Sequence, residues 1–132
     1  MLLLDTHVLL WYEVGEDKLG RRALRMIERG FSSGGVSVSA ISFWEVGMQS
    51  RKHRLALDVD LDAWRRGLLG RGLEEIPIDG RIAGRAGLLT GMHGDPADRI
   101  IVSTALEGHQ LVTADRRILD WPGNLKRINA TG

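Results

Sequence analysis

The sequence contains no cysteine among its 132 residues. Disulfide frameworks, thiolate metal sites and catalytic thiols are therefore excluded, and a reducing compartment suits the chain. Long apolar runs are also missing. The opening apolar run meets Asp5 too early for a signal peptide, and no run approaches the roughly 20 residues that cross a bilayer. These absences predict a cytoplasmic protein without a membrane anchor.

Charge of one sign is not in excess either. The 18 Lys and Arg residues nearly balance the 17 Asp and Glu residues, for a formal net charge of +1. The field of the whole protein therefore does not require a nucleic-acid partner. Basic residues do cluster at 21–29, 51–54 and 65–66, which indicates solvated helix faces, with phosphate contact as the alternative. The length and mixed composition predict a single folded domain over residues 1–132.

Short apolar runs alternate with longer segments of helical periodicity. The predicted strands are 2–4, 36–39, 75–78, 111–113 and 125–128. The predicted helices are 6–14, 17–29, 40–52, 61–69, 81–90, 94–107 and 116–121. Strands that alternate with helices indicate βαβ units. The sequence thus predicts an α/β protein, a three-layer α/β/α sandwich around a central, mainly parallel sheet of about five strands. In such sheets ligands bind beyond the carboxyl ends of the strands.

Two acids follow predicted strands directly. Asp5 comes after the run 2–4, and Asp115 comes after the run 111–114. Each also precedes a predicted helix, so each has a purely structural interpretation as a helix N-cap. Taken singly, that interpretation is the stronger one for both residues.

Two further acids lie on apolar helix faces. Glu45 falls on the same side of its helix as Ile41, Trp44 and Met48, and Asp98 lies on the face formed by 101, 102 and 105. An inward carboxylate costs several kcal/mol unless it is paired or binds a metal. The alternatives are a buried ion pair with an arginine for Glu45, and a favourable first-turn position after an Asp95 N-cap for Asp98.

All four acids can reach one edge of the predicted sheet. Two carboxylates about 5 Å apart repel by roughly 3 kcal/mol at an effective dielectric constant of 20, so four need a cation near neutral pH. An all-oxygen set favours Mg²⁺ or Mn²⁺ over zinc, and the four histidines are scattered along the chain and are not assigned as ligands. A carboxylate site for such an ion is typical of phosphoryl chemistry.

Four sequence blocks resemble a known family. They are 3–11 (LLDTHVLLW), 38–46 (VSAISFWEV), 93–101 (HGDPADRII) and 111–115 (LVTAD). In this order and spacing they resemble PIN-domain ribonucleases, in particular the VapC toxins of type II toxin–antitoxin systems. Two positions depart from the family pattern: Ala97 replaces a large aromatic residue, and Gly47 interrupts the helix that carries Glu45.

The resemblance implies a PIN-like sandwich and a Mg²⁺- or Mn²⁺-dependent endoribonuclease. The family's acidic positions, catalytic and metal-binding, fall on Asp5, Glu45, Asp98 and Asp115, and Thr113 is expected to support the same site. The resemblance also implies a homodimer and a cognate VapB-like antitoxin that covers the active-site groove. The expected reaction is hydrolysis of an RNA phosphodiester bond that leaves a 5′-phosphate and a 3′-hydroxyl.

Several side chains keep two interpretations. Arg99 follows Asp98 and is predicted to pair with it or to touch phosphate. Trp11, Tyr12, Phe43 and Trp44 are predicted to be mostly core, with Phe43 the best candidate for a second interface because it points away from the Glu45 face.

Three rival functions stay open. A receiver-like Mg²⁺-binding signalling domain would need paired acids after the first strand and a lysine after the last, and neither is present. A non-catalytic module with a PIN fold and a DNA-directed nuclease are the other two. The RNA target and the number of metal ions cannot be read from the sequence, because specificity for looped RNA depends on groove shape.

Overall fold

The computed structural model describes residues 1–52 and 60–132. His53 and Arg54, which belong to a basic cluster noted above, lie outside these residues. The strands β1 to β5 span Leu2–Leu4, Val36–Ser39, Glu74–Ile76, Gln110–Thr113 and Arg127–Asn129. The helices α1 to α7 span Thr6–Val14, Arg21–Ser33, Ile41–Arg51, Leu61–Gly70, Gly80–Leu88, Pro96–Ala105 and Arg116–Leu119. None of the described helices is long and apolar enough to cross a membrane.

The five strands form one parallel sheet in the order β3-β2-β1-β4-β5. The chain builds outward from β1 to β3 on one side and then crosses back to add β4 and β5 on the other. The order therefore reverses between β1 and β4, and their carboxyl ends flank the crevice where open α/β sheets bind ligands. The predicted fold class is confirmed.

Alternating side chains of the sheet supply two apolar cores. In β1, Leu2 and Leu4 face one core while Leu3 faces the other, as the period of two in a strand requires. The first core receives side chains from α1, α2 and α4, and the second receives them from α6 and α7. This places helices on both faces of the sheet and makes the three layers.

Local signals predict most helix boundaries. Asp5 caps α1, and Gly15 ends it in a left-handed conformation with φ of +69°. Asp95 caps α6 by accepting a hydrogen bond from the Asp98 backbone N–H at 3.1 Å, and Pro96 occupies its first position. The sequence therefore predicts where the two helices that follow Asp5 and Asp95 begin.

The boundaries of α2 are a correction to the predicted range 17–29. The helix begins at Arg21 because the Gly20 N–H donates to the Ala130 carbonyl, at 2.8 Å, near the far end of the chain. It continues to Ser33, where the serine hydroxyl donates to the Arg29 carbonyl at 2.8 Å. The strands β3 and β5 also shift by one or two residues from the predicted ranges.

Of the two aromatic residues on α3, Phe43 is in the core as predicted and is not a second interface, whereas the predicted core position of Trp44 was wrong. Phe43 is 8% exposed and packs edge-on against Trp64, whereas Trp44 is 57% exposed. Apolar residues occur on every side of this helix, so periodicity alone does not identify the buried face. Gly47 has a packing reason, since a Cβ atom there would lie 3.1 Å from the Leu61 Cδ2 atom of α4.

Candidate active site

The four predicted acids lie around the carboxyl ends of β1 and β4. Asp5 and Asp115 follow these strands directly, Glu45 extends from α3, and Asp98 extends from the first turn of α6. We call this group of four residues the acid cup. The charges of Asp98 and Asp115 raise the pKa of Asp5, and the charges of Asp5 and Asp98 raise the pKa of Glu45, so these carboxylates are near enough to affect one another's ionisation.

Asp5 is the innermost carboxylate and is 2% exposed. One of its oxygens caps α1 by accepting the Thr6 N–H at 2.9 Å, and the other accepts the Thr113 hydroxyl at 2.7 Å. Thr113 also accepts the Asp115 N–H at 3.0 Å. The capping and functional interpretations are therefore compatible, because each uses a different carboxylate oxygen. Thr113 therefore orients Asp5 and, through the same hydroxyl, links it to the backbone of Asp115 at the start of α7.

Glu45 is held by the first helix rather than by an arginine. The Thr6 hydroxyl donates to Glu45 Oε1, and Ser42 Oγ lies 2.8 Å from the same hydroxyl. Among the ion pairs of the described residues, none joins Glu45 to an arginine. No local pattern indicates the role of Thr6 and Ser42, because it depends on a contact between α1 and α3.

His93 is a site residue that sequence reasoning missed. Its Nε2 atom lies 2.7 Å from Asp98 Oδ2. His93, Asp98 and Asp115 each offer one ligand atom, and these atoms lie within 4.8 Å of one another. Its position five residues before Asp98 was the one indication in the sequence. The direction of a side chain in a loop, however, depends on the tertiary structure.

Arg99 neither pairs with Asp98 nor faces the acid cup, which corrects the two predicted roles. Its guanidinium donates to five backbone carbonyls at the end of α5 and in the loop that follows, at distances of 2.8 to 3.2 Å. The acceptors are Ala86, Gly87, Leu89, Met92 and His93. Because one acceptor is the carbonyl of His93 itself, Arg99 holds the loop that places the His93 ring beside Asp98.

His7 contributes a neutral ring to the inner wall. Its Nε2 atom accepts the Ala114 N–H at 3.0 Å, so the ring proton of the neutral form is on Nδ1, which lies 3.7 Å from Asp5 Oδ2. Burial lowers the pKa of His7 below its ordinary value. A neutral imidazole at this distance lies beside Asp5 without neutralising its charge.

The electrostatics of the cup indicate a deficit of positive charge. Burial, together with the charges of Asp98 and Asp115, raises the pKa of Asp5 to about 7. Burial and the neighbouring carboxylates likewise raise the pKa of Glu45 to about 7 and move the pKa of Asp98 upward. Partial burial acts the same way on Asp115, but hydrogen bonds from the Arg117 backbone N–H and guanidinium outweigh it, and the pKa of Asp115 is lowered.

A hard divalent cation fits this donor set. The cup offers carboxylate oxygens from four elements, with their orientations held by threonine hydroxyls, backbone N–H groups and His93. An ion among them would lower the penalty that burial and mutual repulsion place on the ionised acids. Oxygen donors with a single imidazole suit Mg²⁺ or Mn²⁺, and the nitrogen favours the transition metal of the two.

Comparison with known proteins identifies the family. Residues 2–123 match the family profile of the PIN domain. The chain belongs to the PIN domain family. This PIN domain is 34% identical over 119 residues to Ribonuclease VapC22 of Mycobacterium tuberculosis, a match that covers 89% of this chain and 88% of the relative. The family resemblance expected from the sequence blocks is confirmed.

Solved structures share the fold of this PIN domain. A toxin–antitoxin complex from Klebsiella pneumoniae has a TM-score of 0.65 at 22% identity and covers 98% of both chains. VapBC2 from Rickettsia felis, bound to a DNA fragment from its promoter, has a TM-score of 0.70 at 19% identity and covers 97% of each chain. The receiver-like alternative is wrong, because receiver domains use the strand order 2-1-3-4-5 and this PIN domain does not.

Proposed function

We propose that this protein is a metal-dependent endoribonuclease and the toxin of a type II toxin–antitoxin pair. The observation that carries the proposal is the acid cup, four acids from distant parts of the chain that converge at the point where the strand order reverses. Three of the four have a raised pKa. The identity to Ribonuclease VapC22 supports RNA as the substrate.

The acid cup would hold the ion, with Asp5 and Asp98 as its most direct ligands. Glu45 and Asp115 would complete the oxygen set, and His93 would add a nitrogen. When bound, the ion supplies Lewis-acid activation of water and stabilisation of charge on the phosphate. Within the chain, Thr113 orients Asp5, Thr6 orients Glu45 and His93 orients Asp98, through the hydrogen bonds described above. Water attacks phosphorus in line and the bond to the 3′ oxygen breaks, which leaves a 5′-phosphate and a 3′-hydroxyl.

Cleavage of a mixed RNA pool by the purified protein tests the function. We expect endonucleolytic cleavage in Mn²⁺ or Mg²⁺, a 5′-phosphate on the products and no cleavage after chelation by EDTA, with recovery when the ion is restored. Single-stranded DNA of the same sequence is the control for a DNA-directed nuclease. Calorimetry with Mn²⁺ identifies a non-catalytic module, which would show no site-specific binding of the ion. Cleavage that persists in EDTA would contradict the proposal.

We also propose a cognate antitoxin and a homodimer as partners. One solved structure with this fold is named as a toxin–antitoxin complex and another as VapBC2, and the acid cup is complementary in charge to a basic peptide segment. Co-expression with the short protein encoded beside this gene should give a complex that survives purification. Light scattering of the protein alone measures whether it is a dimer. Failure of both experiments would leave the nuclease assignment intact and remove the toxin–antitoxin assignment.

The metal-free protein is expected to lose stability as the pH rises from about 4 to about 8. Because burial raises the pKa of Asp5 to about 7, the folded state keeps a proton that the unfolded chain has already released. The free-energy cost of ionising the buried Asp5 carboxyl is absent below the ordinary carboxyl pKa of about 4 and complete above about 7. Since a tenfold change in proton affinity is about 1.4 kcal/mol, the free energy of unfolding should fall by on the order of 4 kcal/mol.

Thermal unfolding with and without Mn²⁺ at the two pH values measures this effect. The ion should raise the melting temperature more at the higher pH, because it binds the ionised carboxylates. Asp5→Asn is the matched control, since it removes the largest of these titrations and should reduce the pH dependence to the part that Glu45 and Asp98 contribute. A melting temperature of the metal-free protein that is the same at both pH values would contradict the prediction.

His93→Asn is expected to change the preference between ions. If His93 supplies a nitrogen donor, its loss should lower the affinity for Mn²⁺ by about tenfold or more, and should lower the affinity for Mg²⁺ much less. Titration calorimetry with each ion measures the ratio. His109→Asn is the control, because His109 directly precedes β4 and so lies at the amino ends of the strands, at the opposite end from the acid cup. An equal loss for both ions would mean that His93 only orients Asp98.

A further inference from the structure

One arginine lies at the mouth of the acid cup. The Nη2 atom of Arg117 is 3.4 Å from Asp115 Oδ2 and 3.7 Å from Asp98 Oδ2, while the Arg117 backbone N–H donates to the other Asp115 oxygen at 2.9 Å. Among residues 1–52 and 60–132, Arg117 is the arginine whose ion pairs reach two members of the cup. Its side chain is nevertheless 62% exposed.

The neighbouring arginine is oriented differently. Arg116 pairs with Asp120 one helical turn further along α7 and is 69% exposed. The two residues thus share a helix and an open environment, but differ in which carboxylates they contact. A comparison of variants at the two positions therefore measures the effect of a guanidinium that contacts the acid cup.

We propose that Arg117 is a substrate-binding residue that serves as the internal counter-ion of the acid cup until a divalent ion binds, and then binds an RNA phosphate. The proposal rests on the nuclease function proposed above. A guanidinium between Asp98 and Asp115 reduces their mutual repulsion in the metal-free protein, and a divalent ion at the same carboxylates repels it.

The local structure allows this exchange. The backbone of Arg117 is held at the mouth by Asp115 in either state, so only the side chain needs to rotate. The contacts of its guanidinium are long ion pairs at a solvated position, unlike the five backbone hydrogen bonds of Arg99. Once displaced, a planar guanidinium beside the ion suits bidentate binding of a phosphate.

Arg117→Gln and Arg116→Gln form the matched pair of variants. Without RNA, calorimetry should find that Arg117→Gln binds Mn²⁺ about three- to tenfold more tightly than the wild type, because the competing cation is gone. Arg116→Gln should bind Mn²⁺ with unchanged affinity. Thermal unfolding confirms that both variants are folded.

With RNA, the same variant should act in the opposite direction. Arg117→Gln should lower kcat/KM about ten- to a hundredfold, mainly through KM. The slope of log affinity against log salt concentration should decrease by about 0.7, as expected for the loss of one phosphate contact on a single strand. Arg117→Lys should restore the wild-type salt dependence but bring KM only part of the way back to the wild-type value, since lysine keeps the charge but lacks the planar guanidinium.

The two measurements separate the possible failures. An unchanged Mn²⁺ affinity in Arg117→Gln would overturn the counter-ion role, and an unchanged KM and salt dependence would overturn the substrate role. If the wild-type protein does not cleave RNA at all, the proposed function fails, yet the Mn²⁺ titration still decides whether Arg117 competes with the ion.

Discussion

Asp98→Asn is expected to abolish RNA cleavage, with a loss of about a thousandfold or more in the single-turnover rate. The amide keeps the shape of the side chain but removes a charge from the proposed ligand set. The fold should stay intact, because the N-cap of α6 is Asp95 and the apolar face of this helix is unchanged. Burial and nearby charges raise the pKa of Asp98, so the metal-free variant should be at least as stable as the wild type.

Asp95→Asn is the matched control for this experiment. Asp95 lies three residues earlier on the same segment, and asparagine caps helices about as well as aspartate. We expect its cleavage rate to stay within a few-fold of the wild type. Circular dichroism, urea unfolding and a single-turnover assay on both variants measure fold, stability and activity. Near wild-type cleavage by Asp98→Asn would remove Asp98 from the active site, and equal inactivation by both variants would mean that the loss is structural.

Arg99→Met is expected to produce the largest loss of stability among the substitutions considered, about 2–4 kcal/mol in the free energy of unfolding. The substitution keeps the aliphatic stem but removes all five hydrogen bonds from the guanidinium to backbone carbonyls. Several of these carbonyls are partly buried and cannot all recover a water partner. Because the His93 carbonyl is among them, the affinity for Mn²⁺ should fall as well.

Two further variants define the effect of Arg99. Arg66→Met removes an arginine that is 67% exposed and whose one ion pair within 1–52 and 60–132 is with Asp62, across a helical turn, so its effect should stay below about 1 kcal/mol. Arg99→Lys keeps the charge but loses the planar arrangement of five donors, and should lie between the wild type and Arg99→Met. Urea unfolding ranks the three variants. A loss below about 1 kcal/mol for Arg99→Met would show that the hydrogen bonds from Arg99 to the backbone of residues 86–93 do not stabilise the fold.

The main elements of the fold were predictable because their signals are local. The apolar run of β1, the cap at Asp5 and the sequence Asp95-Pro96 each lie within a few residues of the boundary that they predict. The start of α2 was not predictable, because Gly20 bonds to Ala130 from the far end of the chain. Propensity over 17–20 allowed a helix, and a contact across more than a hundred residues excluded it.

The same distinction applies to the aromatic residues of α3. Phe43 and Trp44 are adjacent and both apolar, and helical periodicity placed Trp44, rather than Phe43, on the face expected to be buried. The position of α4, where Trp64 meets Phe43, decides which of the two is buried. No pattern within 41–51 contains that information.

For the candidate site, residue identity alone selected four carboxylates, because a charge on an apolar helix face or at a strand end is costly without a partner. It also matched the chain to its family. Tertiary structure decided how those carboxylates are held and what surrounds them: Thr113 on Asp5, Thr6 on Glu45, and His93 and Arg117 on Asp98. The physical reason is that the cost of burying a charge can be read from one helix or strand, whereas hydrogen-bond and ion-pair partners depend on distances between segments that only folding brings together.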